Sequence, residues 1–157
     1  MFKVGIGYDS HKIVKNKMMI LGGVSINSDF GLAGHSDADV LLHAVIDGML
    51  GACGLPDIGS LFPDTEKKYE NISSLKLLEN VKDKIENKFE IVNIDSIIIA
   101  ESPKLNPYFN EMKENISEIL NMNIRDINIK AKSNEGMGFI GRKEGIASFC
   151  SVLVKEI

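Results

Sequence analysis

The run FEIVNIDSIIIA, residues 89–100, constrains the fold more than any other stretch, because so dense a set of Ile and Val is predicted to form a strand of a sheet. The remaining apolar spacings sort around it. Residues 2–8 are predicted as a second strand, and MMILGGVSI, 18–26, as strand pieces broken at Gly22-Gly23. Ser36 followed by Asp37, Ala38 and Asp39 has the form of a helix N-cap with an acidic first turn. Val40, Leu41, Ala44, Val45, Gly48, Met49 and Ala52 continue it as an apolar stripe, ended by Gly54 and Pro56. A second helix is predicted over 73–87 and a third from the Asn106-Pro107 cap to about Leu120, with strands at 127–131 and 146–154. Strands and helices mix without strict alternation. The expected fold is α/β, of the α+β kind: one domain over 1–157, a two-layer sandwich of a mixed four-stranded sheet with helices on one face, plus a small N-terminal hairpin.

At 157 residues the chain can bury a core without staples. It has no apolar run near the roughly 18–20 residues of a membrane span. Met1 leads straight into FKVGIG with no basic flank or apolar leader, which reads as cytoplasmic, or as a plastid protein trimmed of its targeting segment. Cys53 and Cys150 belong to no CxxC and read as small core residues. A net charge of −4 with dispersed Lys argues against nucleic-acid binding, so an anionic ligand would need metal ions and backbone N–H groups for its positive potential.

The chain has three His, at 11, 35 and 43, all close to Asp9, Asp37 and Asp39. Asp9 and His11 point the same way from an extended backbone, and His43 lies one helical turn beyond Asp39. Asp9, His11 and His43 form a three-ligand N/O set of the kind catalytic Zn²⁺ uses. Spacing alone equally allows a capping Asp and two hydrogen-bonded His. A dinucleotide fold is not indicated, because the third Gly due after Gly5-x-Gly7 is Ser10. The acidic loop 57–69, the proline-stiffened loop 101–107 with Lys104, and the Gly-rich stretch 131–145 could each hold part of an anionic ligand, or be plain surface loops.

In order and spacing, GIGYDSH, HSDADVLLHA, DIGSLFPDTE, ESPKL and AKSNE to FIGRKEG resemble the 2-C-methyl-D-erythritol 2,4-cyclodiphosphate synthase family of the non-mevalonate isoprenoid pathway. The resemblance implies conversion of 4-diphosphocytidyl-2-C-methyl-D-erythritol 2-phosphate into the 2,4-cyclodiphosphate and CMP, in a homotrimer with sites between subunits. It implies that Asp9, His11 and His43 hold Zn²⁺ or another divalent transition metal, and that Asp9, Ser10, His11, His35 and Ser36 meet the substrate. Asp57, Ile58, Gly59, Phe62, Pro63, Asp64, Thr65 and Glu66 would meet the methylerythritol unit. Ala100, Glu101, Ser102, Pro103, Lys104 and Leu105, with Ala131, Lys132, Ser133 and Asn134, would form the cytidine pocket. Glu135 would hold Mg²⁺ or Mn²⁺ on the diphosphate, Phe139 and Arg142 would line the phosphate region, and His35 and Ser133 would stabilise the transition state.

The chain departs from the family pattern at Lys132 and Asn134, where Thr is common, at Glu66 in place of Asp, and at Phe149, where an acidic residue is expected on the last strand. Two other functions fit the same residues. A metal-dependent phosphohydrolase would use the triplet with water as nucleophile and release inorganic phosphate; a non-catalytic trimer would bind an isoprenoid diphosphate without turnover.

Overall fold

The computed structural model describes residues 1–63, 65–69 and 71–157. Its first strand, β1 (Phe2–Lys15), is twice as long as the sequence suggests. The ladder to the last strand continues through the polar Asp9–Lys12 segment, so Asp9 and His11 sit within the strand and not past its end. Along β1, Gly5 and Gly7 face inward while Phe2, Val4, Ile6 and Tyr8 face out. A Cβ on Gly5 would lie 2.1 Å from the Gly48 carbonyl oxygen, and one on Gly7 1.9 Å from that of Ala44. The two glycines thus let α1 (Val40–Ala52) lie backbone to backbone on β1.

The hairpin β2 (Met19–Leu21) and β3 (Val24–Ile26) turns at Gly22 and Gly23, both at positive φ as a two-residue turn of this hand requires. It is fastened to α1 by one buried carboxylate: Asp39 accepts hydrogen bonds from the backbone N–H groups of Gly22 (3.0 Å), Gly23 (2.8 Å) and Leu42 (3.0 Å). Asp39, not Ser36, is therefore the N-cap, and the helix starts at Val40. A side chain that reaches three donors from two elements outcompetes a serine that could satisfy only its own helix.

β4 (Phe30–Leu32) pairs with Ile13–Lys15, at the end of β1 that the sequence reading leaves out. The chain continues through the single turn α2 (Ile58–Leu61) and α3 (Ser74–Ile85, capped by Ser73) to β5 (Phe89–Ile99). A 3₁₀ turn at Asn106–Tyr108 then opens α4 (Phe109–Leu120), followed by β6 (Ile127–Lys132), the short α5 (Gly138–Gly141) and β7 (Gly145–Glu156). The main sheet is mixed, in the order β4-β1-β7-β5-β6, parallel only between β5 and β6. It has five strands where the sequence reading counts four, because β4 has only three residues and is a strand by virtue of its long-range partner. Ile94, Ile98, Val152 and Val154 on the inner face meet Leu41, Val45, Met49, Leu78, Met112 and Ile116 from the helices, all fully buried. Each such side chain contributes roughly 1.5–3 kcal/mol. The opposite face is open and carries Val4, Ile6, Tyr8 and Phe149.

Candidate active site

Three ligand atoms converge where β1 crosses the first turn of α1. Asp9 Oδ2 lies 2.9 Å from His43 Nδ1 and 2.9 Å from His11 Nε2, and the two ring nitrogens are 3.2 Å apart. Period two along β1 aims Asp9 and His11 at one point. The glycine contacts bring α1, and with it His43, down to that point. His11 Nδ1 is 2.7 Å from the Ala33 carbonyl oxygen, which can only accept, so a proton sits on Nδ1, and Nε2, facing Asp9 and His43, is the nitrogen left to take a second proton or a metal. His43 Nε2 is bracketed by two hydroxyls, Ser74 Oγ at 2.9 Å and Ser36 Oγ at 3.2 Å.

Burial pushes the Asp9 carboxyl up, but hydrogen bonds to His11 and His43 and their charge outweigh it and hold Asp9 at about 2. For His11, burial works downward, and the Asp9 hydrogen bond and charge reverse it, raising the imidazole above its ordinary value. Each group favours a positive charge at the shared point. A carboxylate and two imidazole nitrogens within 4.8 Å of one another, two of them fixed by partners outside the cluster, fit a divalent transition metal in donor type, number and spacing. Among the described residues this is the one such grouping.

The cluster opens into a cleft of about 200 Å³ lined by Gly34, His35, Ser36, Ile58, Gly59, Phe62 and Tyr69. His35, Ser36, Ile58, Gly59 and Phe62, all proposed from the sequence, therefore share one space with the three ligands. Tyr69, which packs edge-on against Phe62 at 5.3 Å, and Ile72 and Leu77 complete the wall and carry no sequence signal beyond apolarity. A larger groove of about 550 Å³ between α3, α4 and β5 has no ligand cluster, so volume alone does not locate the chemistry.

The other described sequence candidates lie outside this cleft. Asp57 caps α2 through the Ser60 N–H at 2.8 Å, which lowers its carboxyl, and Asp47 of α1 accepts from Ile58 N–H at 2.8 Å. The sequence reading missed Asp47, which has the spacing of an ordinary helix residue. Pro63 is half-buried, Thr65 is exposed and Glu66 pairs with Lys68 at 2.6 Å; Asp64 lies outside the described residues. Ser10, on the outward side of β1, borders a second groove with Phe139 and Glu144 that shares His11 with the cleft, and Arg142 pairs with Glu144 at 2.9 Å.

Glu101 accepts from Asn134 N–H at 2.8 Å and Gly136 N–H at 3.4 Å, and Ala100 N–H donates to the Lys132 carbonyl at 2.9 Å, so loops 100–105 and 131–136 form one unit. Within it Ser133 Oγ donates to Glu135 Oε1 at 3.0 Å, while Ala131 and Lys104 are exposed. Ser102 and Pro103 are half-buried, and Leu105 packs into the core. None of these residues lines the cleft with Asp9, His11 and His43.

Comparison with known proteins covers nearly the whole chain. The profile of the YgbB family matches residues 2–155. A protein of Clostridium botulinum (strain Eklund 17B / Type B) named 2-C-methyl-D-erythritol 2,4-cyclodiphosphate synthase is 58% identical over 156 residues, 98% of this chain and 99% of the relative. Among solved structures, IspF of Plasmodium falciparum in complex with CDP aligns with a TM-score of 0.86 at 35% identity, over 99% of this chain and 96% of that one. The bifunctional IspDF of Campylobacter jejuni aligns with a TM-score of 0.96 at 44% identity, over 100% of this chain, which spans 43% of the bifunctional chain.

Proposed function

Because the chain belongs to the YgbB family, we propose that the Asp9, His11 and His43 cluster is the metal centre of its cyclodiphosphate synthase reaction. The enzyme converts 4-diphosphocytidyl-2-C-methyl-D-erythritol 2-phosphate into 2-C-methyl-D-erythritol 2,4-cyclodiphosphate and CMP. The observation that carries the assignment of the site is the convergence of the three ligand atoms at the head of the cleft.

The reaction needs no protein nucleophile. An oxygen of the substrate's 2-phosphate attacks the β-phosphorus, a new P–O bond closes the ring, and the bond to the bridging oxygen breaks with its electron pair leaving on CMP. What the enzyme must supply is alignment of two anionic groups that repel each other. A zinc ion held by Asp9, His11 and His43 would supply Lewis-acid polarisation of a phosphate oxygen. Ser36 and His35, which line the cleft, would orient the phosphates. Ile58, Gly59 and Phe62 form the apolar wall suited to the methylerythritol carbon chain. Ser133 would donate to charge developing in the transition state, and Glu135 would hold Mg²⁺ or Mn²⁺ on the diphosphate.

Two features support a homotrimer with shared sites. The outer sheet face exposes 65% of Val4, 80% of Ile6 and 49% of Phe149, an apolar stripe suited to cover by further copies. Ser133 and Glu135 do not reach the cleft of their own chain. No helix among the described residues is long and apolar enough to cross a membrane. A cytoplasmic location is part of the proposal.

Mass detection of products from the cytidine-linked substrate tests the reaction. A cyclic diphosphate with CMP is expected, whereas inorganic phosphate would mark a phosphohydrolase and binding without turnover a non-catalytic trimer. For the metal centre, a chelator should abolish turnover and Zn²⁺ restore it. Unchanged turnover in protein shown to be metal-free would overturn that assignment.

A further inference from the structure

His11 and His43 are oriented by different devices. His11 is set by a backbone carbonyl, which has a single hydrogen-bonding sense. His43 is set by hydroxyls, which have two. Ser74, the first residue of α3, is completely buried, and its Oγ contacts both His43 Nε2 and Asp37 Oδ1. The hydroxyl has one proton for two neighbours. Asp37 holds Ser74 from two directions, because its Oδ2 also accepts from Ser74 N–H at 2.9 Å. A carboxylate is a stronger acceptor than a neutral imidazole, so the serine proton goes to Asp37. Ser74 Oγ is then left to accept from His43 Nε2–H, and the lone pair of His43 falls on Nδ1, facing Asp9 and His11.

We propose that Asp37 and Ser74 are positioning residues that fix the ring orientation and tautomer of His43, with Asp37 setting the direction of the whole hydrogen-bond chain. The inference rests on the metal assignment above and adds two residues to it. Because α3 starts at Ser74, the same contacts tie the seating of α3 to the metal centre. Ser36, the second hydroxyl on Nε2, is a partial substitute for Ser74 and none for Asp37.

The two substitutions should therefore differ. Ser74→Ala leaves Ser36 as acceptor and should weaken zinc binding about 10-fold. In Asp37→Asn the amide oxygen is needed more opposite Ser74 N–H, at 2.9 Å, than opposite Asp39 N–H, the longer contact at 3.3 Å, so the NH₂ faces Ser74 Oγ and turns the serine proton toward His43 Nε2. That reverses the chain, and zinc binding should weaken by nearer 100-fold. The measurements are zinc dissociation constants by chelator competition, with folding checked by circular dichroism, and the NMR spectrum of the cobalt-substituted proteins. Cobalt should give two exchangeable, hyperfine-shifted ring N–H resonances, from His11 and His43. Only the His43 resonance should exchange faster in Ser74→Ala, an effect that loosened packing alone would not confine to one ring.

Wild-type zinc affinity and unchanged His43 exchange in folded Ser74→Ala would overturn the proposal, even if Asp37→Asn failed to fold. Retention of zinc by His43→Ala would overturn the metal assignment and this inference together. Loss of zinc in His43→Ala with no effect in Ser74→Ala and Asp37→Asn would overturn this inference alone.

Discussion

Asp9 and His11 hang from the middle of a 14-residue strand and His43 from a helix buried on almost every side, whereas Ser133, Glu135 and Arg142 hang from exposed loops and bond mainly to neighbours within two residues. The first set is held by backbone packing that extends through the core. The second is held by a few polar contacts at the surface. A metal centre needs three atoms placed within a fraction of an ångström before any ligand arrives, and period-two and helical geometry deliver that. A group that closes on a substrate, or on a neighbouring subunit, can be built on a loop whose contacts exchange at little cost.

The largest effects should follow from breaking the first set. His43→Ala should lose zinc and reduce turnover by about 1,000-fold or more while the protein stays folded, because the apolar contacts of α1 do not use the imidazole. Gly7→Ala attacks the same centre from beneath. Its methyl would lie 1.9 Å from the Ala44 carbonyl oxygen, so α1 must lift from β1 and carry His43 with it. A loss of about 3 kcal/mol in urea unfolding, together with weakened zinc binding, is expected. A variant as stable as wild type would show that the helix does not depend on that approach.

In the exposed set, Ser133→Ala should lower kcat by about 10- to 1,000-fold with KM little changed, and leave zinc affinity and stability alone. A change confined to KM would make Ser133 a ground-state binder. This separation of metal affinity from turnover is the clearest way to sharpen the contrast between the two sets.

The rigid set was also the more legible one. Asp9 and His11 could be paired because they stand one strand period apart, but spacing alone equally allowed a capping Asp and two hydrogen-bonded His, and the family resemblance decided for the metal set. The Gly5-x-Gly7 pair was visible too, but its meaning was not: the glycines serve the approach of α1, which no local pattern reveals. Ser74, Asp47 and the fastening of the β2–β3 hairpin by Asp39 escaped because each acts on a residue 11 or more positions away. β4 escaped for the same reason. The roles expected of loops 100–105 and 131–135 come only from family resemblance, since a Gly- and Pro-rich composition says where a chain leaves its strands and not what it meets there.

Asp39 gives the rigid region a pH signature. Burial pushes its carboxyl up to about 6, against the pull of its three backbone N–H donors, from an ordinary value of 3.8. The native state therefore binds more protons than the unfolded state between these values. The contribution is fully present below pH 3.8 and lost as pH rises through 6, which amounts to about 3 kcal/mol. Asp9, lowered to about 2, has the opposite sign, with stability present above pH 3.8 and lost as pH falls through 2. His11 is raised from 6.5, so its contribution is constant below that value. Urea unfolding of metal-free protein should thus show stability falling from pH 4 to 6, and Asp39→Asn should remove most of the slope. A small remainder of the same sign is expected from Asp47, which burial also raises. A flat wild-type profile would mean that the three N–H donors fully offset the burial of the Asp39 charge.

The smallest expected effect tests whether the two sets belong to different chains. His43→Ala lacks the metal set, and Ala131→Trp should fill the cytidine region, where Ala131 is exposed at the end of β6. Each variant alone should be inactive. Unfolded and reassembled together in equal amounts, the chains meet at random around the proposed trimer. A wild-type site forms wherever the metal set comes from an Ala131→Trp chain and the loop set from a His43→Ala chain, which is about one boundary in four. Mixed material should recover roughly a quarter of wild-type turnover, a fourfold deficit that a product assay resolves easily. If both sets served a site within one chain, every chain would carry one defect and mixing would restore nothing. Absence of recovery in trimers verified as mixed would therefore return Ser133 and Glu135 to the cleft of their own subunit, and would require the 131–136 loop to move there when substrate binds.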